Sequence, residues 1–472
     1  MAPHNRDTET KHSTGPDSNY PTSRAVLVYF FTLATLTAFM LPPGEGPDEP
    51  AHMLYVFHVA GTLRLPDQRS EAARVPEGHQ PPLYYIIGAL VARAINPSAE
   101  FQVSLVLNPR QEYRDGKFLH RVPVYLHLVH PLAKDLRPEF GTPGDKAVFY
   151  ALRMLSVFFG VLTLFFVYRI SGIFFGESPW GLLPPIIIAT LPQFIFMSSV
   201  INNDGAATLL GTVVIYYSLR IMQRPDEAGG YIPLGVALGL GLLTKKSVWM
   251  LVPPVIFALV GSVVWSVGGD QRKRLRYASA LVAIVLSLTG WMYVRNFVLY
   301  GDFLGSSVER QTIIPRDVPL FSKYFVDSFI PKVFVSFIGE FGWNSVRLPM
   351  GCYAFYLFIF VMGFMGFGWV AREERGNLRQ NGLLMLSLAS AATAFVWANT
   401  SFPFHYGRLL FPVISIPALI AALGIKRIVA EVKTAGRVRI MLHALVMGFV
   451  VADISMLVRI HNFYYRIEQY LR

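Results

Sequence analysis

Apolar residues come in runs mostly close to 20 long, separated by polar stretches, which is about the length a helix needs to cross a hydrocarbon layer. The runs fall at about Arg24 to Leu41, Lys146 to Ser171, Trp180 to Val200, Gly205 to Ile221, Tyr231 to Leu243, Val248 to Val264, Tyr277 to Phe297, Gly351 to Ala371, Leu383 to Trp397, Leu409 to Leu423 and Ile440 to Val458. The pattern predicts an all-α polytopic bundle of about 11 transmembrane spans. The fifth run has only about 13 residues, short of the ~20 needed to cross alone, so it is expected to pair with the sixth as a bent or partial hairpin.

Loop charge sets the orientation. Arg220 and Arg224, then Arg272, Lys273, Arg274 and Arg276, then Arg372, Arg375 and Arg379, then Lys426, Arg427, Lys433, Arg437 and Arg439 all count to one side. The positive-inside rule makes that side the cytoplasm, with the N-terminus inside and the C-terminus outside. Residues 1–23 read as a disordered cytoplasmic tail, 24–460 as the transmembrane domain and 461–472 as a short external tail. The same count places 42–145 and 298–350 outside. The first of these holds two short helix candidates, Pro50 to Leu63 and Pro82 to Ile95, expected to lie at the outer membrane surface. No internal repeat of fixed period is present, which weighs against an inverted-repeat transporter.

Composition narrows the class. With 53% hydrophobic residues, 15% charged and a mean hydropathy of +0.42, the chain is neither a soluble enzyme, a disordered protein nor a single-anchor receptor. The net charge of +12 lies mostly in the short loops, so it speaks of membrane orientation rather than nucleic acid. Cys352 is the only cysteine, which excludes an intrachain disulfide and a cysteine-based metal or redox centre.

Chemistry-bearing residues crowd the outer boundary. After the first span, a Pro-Gly turn delivers Asp48, Glu49 and His52. Asp48 suits a helix N-cap and Pro50 a first turn, so capping competes with catalysis as their explanation. His79, Gln80 and Tyr84 open the second surface helix, as ligand contacts or as an interface belt. Asp204 follows Asn202-Asn203 at the start of the fourth span, where it either caps the helix or joins Asp48 on a substrate or cation. Such oxygen ligands would suit magnesium or manganese. Arg153, Lys245, Lys246, Arg295 and Arg408 are outer-facing cations against the positive-inside bias. Singly they snorkel; together they suit a lipid-linked phosphate. Phe341-Gly342-Trp343 and Trp291 read as interface anchors or sugar-stacking platforms. No Walker A sequence, dinucleotide fingerprint, His-Glu-x-x-His or Gly-x-Ser-x-Gly occurs, which disfavours nucleotide-driven transport, Rossmann cofactors and common hydrolases.

In order along the chain, Asp48-Glu49-Pro50-Ala51-His52, His79-Gln80-Pro81-Pro82-Leu83-Tyr84, Ala151-Leu152-Arg153, Asn202-Asn203-Asp204, Leu243-Thr244-Lys245, Arg295-Asn296 with Tyr300-Gly301-Asp302, Phe341-Gly342-Trp343, and Gly407-Arg408 before Phe411-Pro412 resemble the signatures of a bacterial membrane-protein family of unknown function. That family is similar to the GT-C glycosyltransferase superfamily, and the resemblance covers residues 24 to 460. One motif departs from it: Tyr406-Gly407-Arg408-Leu409 stands where the family tends to have Gln-Gly-Arg-Tyr, and Arg408 is retained.

The resemblance implies a many-helix fold whose large first external loop carries a catalytic carboxylate at Asp48, and a sugar donor on a polyprenyl phosphate. It implies transfer to a hydroxyl of a glycan, lipid or protein at the outer face of a bacterial inner membrane. Chemically, a carboxylate takes the acceptor's proton while Arg153, Lys245, Arg295 and Arg408 receive the leaving phosphate. Direct displacement would invert the anomeric centre. A lipid-linked saccharide flippase and a non-catalytic envelope-assembly protein remain as alternatives. A flippase calls for charges lining a route through several spans, and here the span interiors are nearly free of charge.

Overall fold

A computed structural model of the chain describes residues 20–69, 75–98, 140–266, 268–312, 322–323, 327, 329–342, 344, 346–373, 378–402, 406–432 and 434–465. Most of the expected N-terminal tail, the middle of the first external segment, part of the second, Trp343 and residues 466–472 lie outside these.

The helices are α1 (Tyr20–Met40), α2 (Glu49–Thr62), α3 (Leu83–Ile95), α4 (Pro143–Phe175), α5 (Leu183–Ala189), α6 (Pro192–Met197), α7 (Asp204–Gln223), α8 (Ala228–Leu242), α9 (Val252–Val263), α10 (Gln271–Tyr300), α11 (Ser306–Thr312), α12 (Ile330–Ile338), α13 (Met350–Glu373), α14 (Leu378–Ser401), α15 (Ser415–Ala430) and α16 (Ala435–Tyr465). Short 3₁₀ turns at Pro179–Leu182, Lys246–Leu251 and Gly407–Val413 lead into α5, α9 and α15. Among the described residues, strand structure is confined to a two-stranded antiparallel ribbon in which Glu340 faces Arg347 and Phe341 faces Val346.

Among the described residues eight helices are long and apolar enough to cross a membrane, and the Gly407–Val413 turn with α15 adds a ninth if that bent pair is one span. Two shorter apolar helices, Pro179–Ala189 and Ala228–Leu242, fill the remaining predicted runs, so the architecture agrees with about 11 spans. Prolines change two of those runs. The third is broken into α5 and α6, because Pro192 follows a residue that must stay extended. The tenth bends by 76° between its 3₁₀ turn, which contains Pro412, and α15. The fifth run, α8, packs along α7 and α10 rather than folding back on the sixth. A Cβ at Gly239 would lie 2.8 Å from Leu288 of α10, so bare backbone is what allows that approach. The final helix extends to Tyr465, into what the sequence suggested was tail.

Contacts sort the loops onto two ends of the bundle. At one end Arg274 donates from Nε to Asp226 (2.9 Å), Arg427 donates from Nε to Glu373 (2.9 Å), and Lys426 lies 5.4 Å from the Phe175 ring. This end holds Arg274, Lys426 and Arg427 of the basic loops, while Arg375 and Lys433 lie outside the described residues. The other end gathers the 42–48 turn, the start of α3, the start of α7, Lys245 and the Arg408 turn. There α2 and α3 pack on each other and on α4 around their own buried cluster, which includes Met53, Tyr55, Val56, Tyr84, Tyr85, Phe149 and Leu152. Between the two ends one interior acid stands out: Asp453 of α16 accepts a hydrogen bond from Tyr29 of α1 (2.6 Å).

Candidate functional site

The site is built on a clasp between Glu49 and Arg153, both wholly buried. Arg153 donates from Nε to Glu49 Oε1 (2.9 Å) and from Nη2 to Oε2 (2.8 Å). Its other N–H groups go to the carbonyls of Ala38 (2.6 Å), Leu41 (2.7 Å) and Pro42 (3.0 Å) at the end of α1. All five guanidinium hydrogens are therefore spent. Glu49 also accepts from the backbone N–H groups of Gly44 (2.9 Å), Gly46 (3.3 Å) and Ile201 (3.0 Å). These bonds fix the 42–48 turn against α4 and the loop before α7. Arg153 was expected to face a lipid phosphate and Glu49 to share in catalysis. With every polar atom engaged inside the fold, the geometry gives both a structural task instead.

Asp48, next to this clasp, occupies the N-cap position of α2 but caps nothing. Its φ is 59°, in the left-handed region, and its side chain makes no cap hydrogen bond. The carboxylate instead accepts from Arg408 Nη2 at 2.8 Å, across 360 positions of sequence. Asp48 is 34% exposed at the side chain and Arg408 only 10%. Arg408 is placed by Gly407, whose N–H donates to Ser336 Oγ (2.7 Å) and whose missing Cβ would meet the Val333 carbonyl at 2.3 Å. Only glycine lets the turn press this closely on α12. The Tyr406 ring centre lies 5.2 Å from the Arg408 guanidinium carbon.

A second ion pair joins the ends of α7 and α8. Lys245 Nζ donates to Asp204 Oδ1 (2.6 Å) and Asn203 Oδ1 (2.9 Å). Asp204 is free to do this because Asn202 does the capping: its Oδ1 accepts from the N–H groups of Asp204 (2.8 Å) and Gly205 (3.1 Å). His52 projects from α2 toward the same group, with Nδ1 at 2.9 Å from the Tyr85 hydroxyl. Burial holds the imidazole below its ordinary value, against the pull of Glu77, Asp48 and Asp204, so it is neutral at pH 7. Glu77 feels Asp48, His52 and Lys245, and burial, with the like charge of Asp48 adding to it, raises its carboxyl. Asp48, Asp204, Lys245, Arg408 and His52 are thus brought together.

His79, Gln80 and Arg295 sit beside this group rather than in it. With Lys246, Tyr293 and Asn296 they line a cavity of about 20 Å³, enough for a water. His79 Nε2 and Gln80 Oε1 are buried there without a hydrogen-bond partner. Burial and then the charge of Lys246 push the His79 imidazole down to about 4. Lys246 is paired with Glu309 (2.9 Å), and Arg295 donates to the Pro66 carbonyl (2.6 Å). Tyr84 is fully buried, edge-on to His52 with ring centres 6.4 Å apart. Trp291 is exposed on α10, as an interface anchor would be, and Phe341 is wholly buried.

Glu77 and Tyr406 escaped the sequence reading. A lone glutamate in a polar Pro-Glu-Gly turn has no distinguishing spacing, although its φ of 58° is the kind of backbone that marks special sites. Also unforeseen was Glu45, buried behind the clasp, where its Oε2 accepts from the Tyr464 hydroxyl at 2.9 Å. Burial raises its carboxyl well above the usual range. Among the described residues no group of three or more His, Cys, Asp or Glu is placed to hold a metal ion. Asp48 and Asp204, the oxygen ligands that would have suited magnesium or manganese, are each matched by a cation of the chain.

Comparison with known proteins agrees with this architecture. Residues 145–293 match the family model described as dolichyl-phosphate-mannose-protein mannosyltransferase. The structure is similar to that of ArnT from Cupriavidus metallidurans bound to undecaprenyl phosphate, at 13% identity and a TM-score of 0.51, over 87% of this chain and 61% of that one. It is also similar to the oligosaccharyltransferase of Archaeoglobus fulgidus in its apo form, at 12% identity and a TM-score of 0.56, over 93% of this chain and 56% of that one. The same archaeal enzyme in complex with an inhibitory peptide and a dolichol-phosphate gives a TM-score of 0.54 at 12% identity, over 93% of this chain and 56% of that one. This chain spans about three fifths of the length of the ArnT structure it matches. No curated protein matches it at the level of sequence. The fold is that of a GT-C-like membrane protein.

Proposed function

We propose that the chain is a membrane glycosyltransferase that moves a sugar from a polyprenyl-phosphate donor to an acceptor hydroxyl, with inversion and with Asp48 as general base. The observation that carries this reading is the left-handed Asp48, held at the rim of the site opposite a buried arginine instead of capping its helix. The basic end of the bundle belongs in the cytoplasm by the positive-inside rule. In this reading the site lies at the outer face of a bacterial inner membrane, where the donor's lipid tail stays in the bilayer.

In this reading the acceptor oxygen attacks the anomeric carbon from the face opposite the phosphate and gives its proton to an Asp48 carboxylate oxygen. The bond from the anomeric carbon to the phosphate oxygen breaks, and its electron pair leaves with the phosphate. Arg408 and Lys245 take up the charge that develops there, in a site that needs little reorganisation because both cations are already packed in place. One displacement inverts the centre and calls for no covalent enzyme intermediate.

The test is transfer of labelled sugar from polyprenyl-phosphate donors in proteoliposomes. Asp48→Asn should slow transfer by about 100-fold or more. Full activity in a well-folded Asp48→Asn protein would remove Asp48 from the mechanism. A donor that changes sides of the membrane while staying chemically intact would favour a flippase.

A further inference from the structure

Resting on that reading, we infer that Asp48 and the donor's phosphate compete for Arg408, so that the base is masked in the empty site and released by donor binding. The contrast between Arg153 and Arg408, both buried, motivates this. Arg153 spends all five of its N–H groups on oxygen acceptors. Arg408 has one good acceptor, Asp48. Among the described residues its Nη1 meets only the Met197 sulfur at 3.7 Å, and its Nε is buried with no partner. A buried guanidinium with unused donors is costly, and its planar fork fits two oxygens of a phosphate.

Which partner moves follows from the packing. Arg408 stands on the Gly407 contact with α12 and against the Tyr406 ring, and is nearly enclosed. Asp48 is the more exposed partner, at the end of a turn. An arriving phosphate therefore takes the guanidinium and displaces the carboxylate.

The displaced carboxylate meets a different field. The charged and titratable groups around it are Glu77 from the 75–82 loop, His52 from α2, Lys245 and Asp204 at the α7 and α8 ends, and Tyr406 beside Arg408. Lys245 is already matched by Asp204. With Arg408 turned to the phosphate, the Asp48 carboxylate no longer accepts from the guanidinium and is free to accept from the acceptor hydroxyl. Because the coupling is reciprocal, whatever weakens the hold of Asp48 on Arg408 must strengthen phosphate binding.

The experiment measures binding of undecaprenyl phosphate to the full chain in nanodiscs, for the wild type, Asp48→Asn, Asp48→Ser, Glu77→Gln and Arg408→Ala, each checked for a single size-exclusion peak. Competition predicts binding about 10-fold tighter in both Asp48 variants, much less change in Glu77→Gln, and binding at least about 10-fold weaker in Arg408→Ala. Asp48 variants that bind no more tightly than wild type, while Arg408→Ala still weakens binding, would overturn the competition and leave the donor site standing. Equal tightening in Glu77→Gln would also overturn it, since removing any nearby negative charge would then suffice. No binding to the wild type, or none of it lost in Arg408→Ala, would instead overturn the donor-site reading itself.

Discussion

Replacing Arg153 by alanine tests whether the buried clasp holds the fold or the substrate. Truncation removes donors from three carbonyls, at Ala38, Leu41 and Pro42, and leaves the Glu49 carboxylate with only the backbone N–H groups of Gly44, Gly46 and Ile201. Breaking a fully buried ion pair by removing one partner costs roughly 3–5 kcal/mol, a large share of the roughly 5–15 kcal/mol that holds a typical domain together. Arg153→Ala should therefore lower the melting temperature by many degrees, or yield little folded protein, and Arg153→Lys should rescue it poorly because an ammonium cannot supply the fork. The double variant Arg153→Met with Glu49→Leu should be more stable than either single change, since it leaves no buried charge unpaired. The assay is thermal unfolding in detergent, followed by intrinsic fluorescence and size exclusion. An Arg153→Ala protein with the wild-type melting curve but no affinity for polyprenyl phosphate would refute this account and return Arg153 to the ligand.

Three further outcomes are expected. Gly424 packs against α13 so closely that a Cβ would lie 1.8 Å from the Gly363 carbonyl oxygen, so Gly424→Leu should separate α13 from α15 and reduce the yield of monodisperse protein, whereas Gly436→Leu, which meets nothing, should not. The His79 imidazole is held down to about 4, below its ordinary 6.5, so the unfolded chain binds that proton more readily; the stability it lends is present above about pH 6.5 and lost progressively toward pH 4, and His79→Gln should flatten this part of a melting-temperature profile against pH. A cysteine at position 273, with Cys352 replaced, should resist membrane-impermeant reagent in intact cells while one at position 64 reacts, and labelling of 273 from outside would reverse the orientation and move the site to the cytoplasmic face.

Hydrophobic run length and loop charge were enough to specify a polytopic helical bundle and to mark the polar clusters of its loops. These are properties of segments. A run of about 20 apolar residues has few ways to satisfy its backbone in a bilayer other than as a helix, whatever its neighbours are. The break before Pro192 and the 76° bend beside Pro412 came from the structure, since the apolar pattern runs through both. The sequence could not decide between capping and chemistry for its carboxylates, because Asp48, Glu49, Asp204 and Asn202 are all chemically fit for either. That choice needed partners brought from far along the chain: Arg408 for Asp48, Arg153 for Glu49 and Lys245 for Asp204. Equally, Arg153 and Arg408 look alike as outer-boundary cations, and what separates them is the count of acceptors around each guanidinium. Burial and acceptor supply are set by which helices lie side by side, a property of the packed bundle that segment-level pattern does not encode.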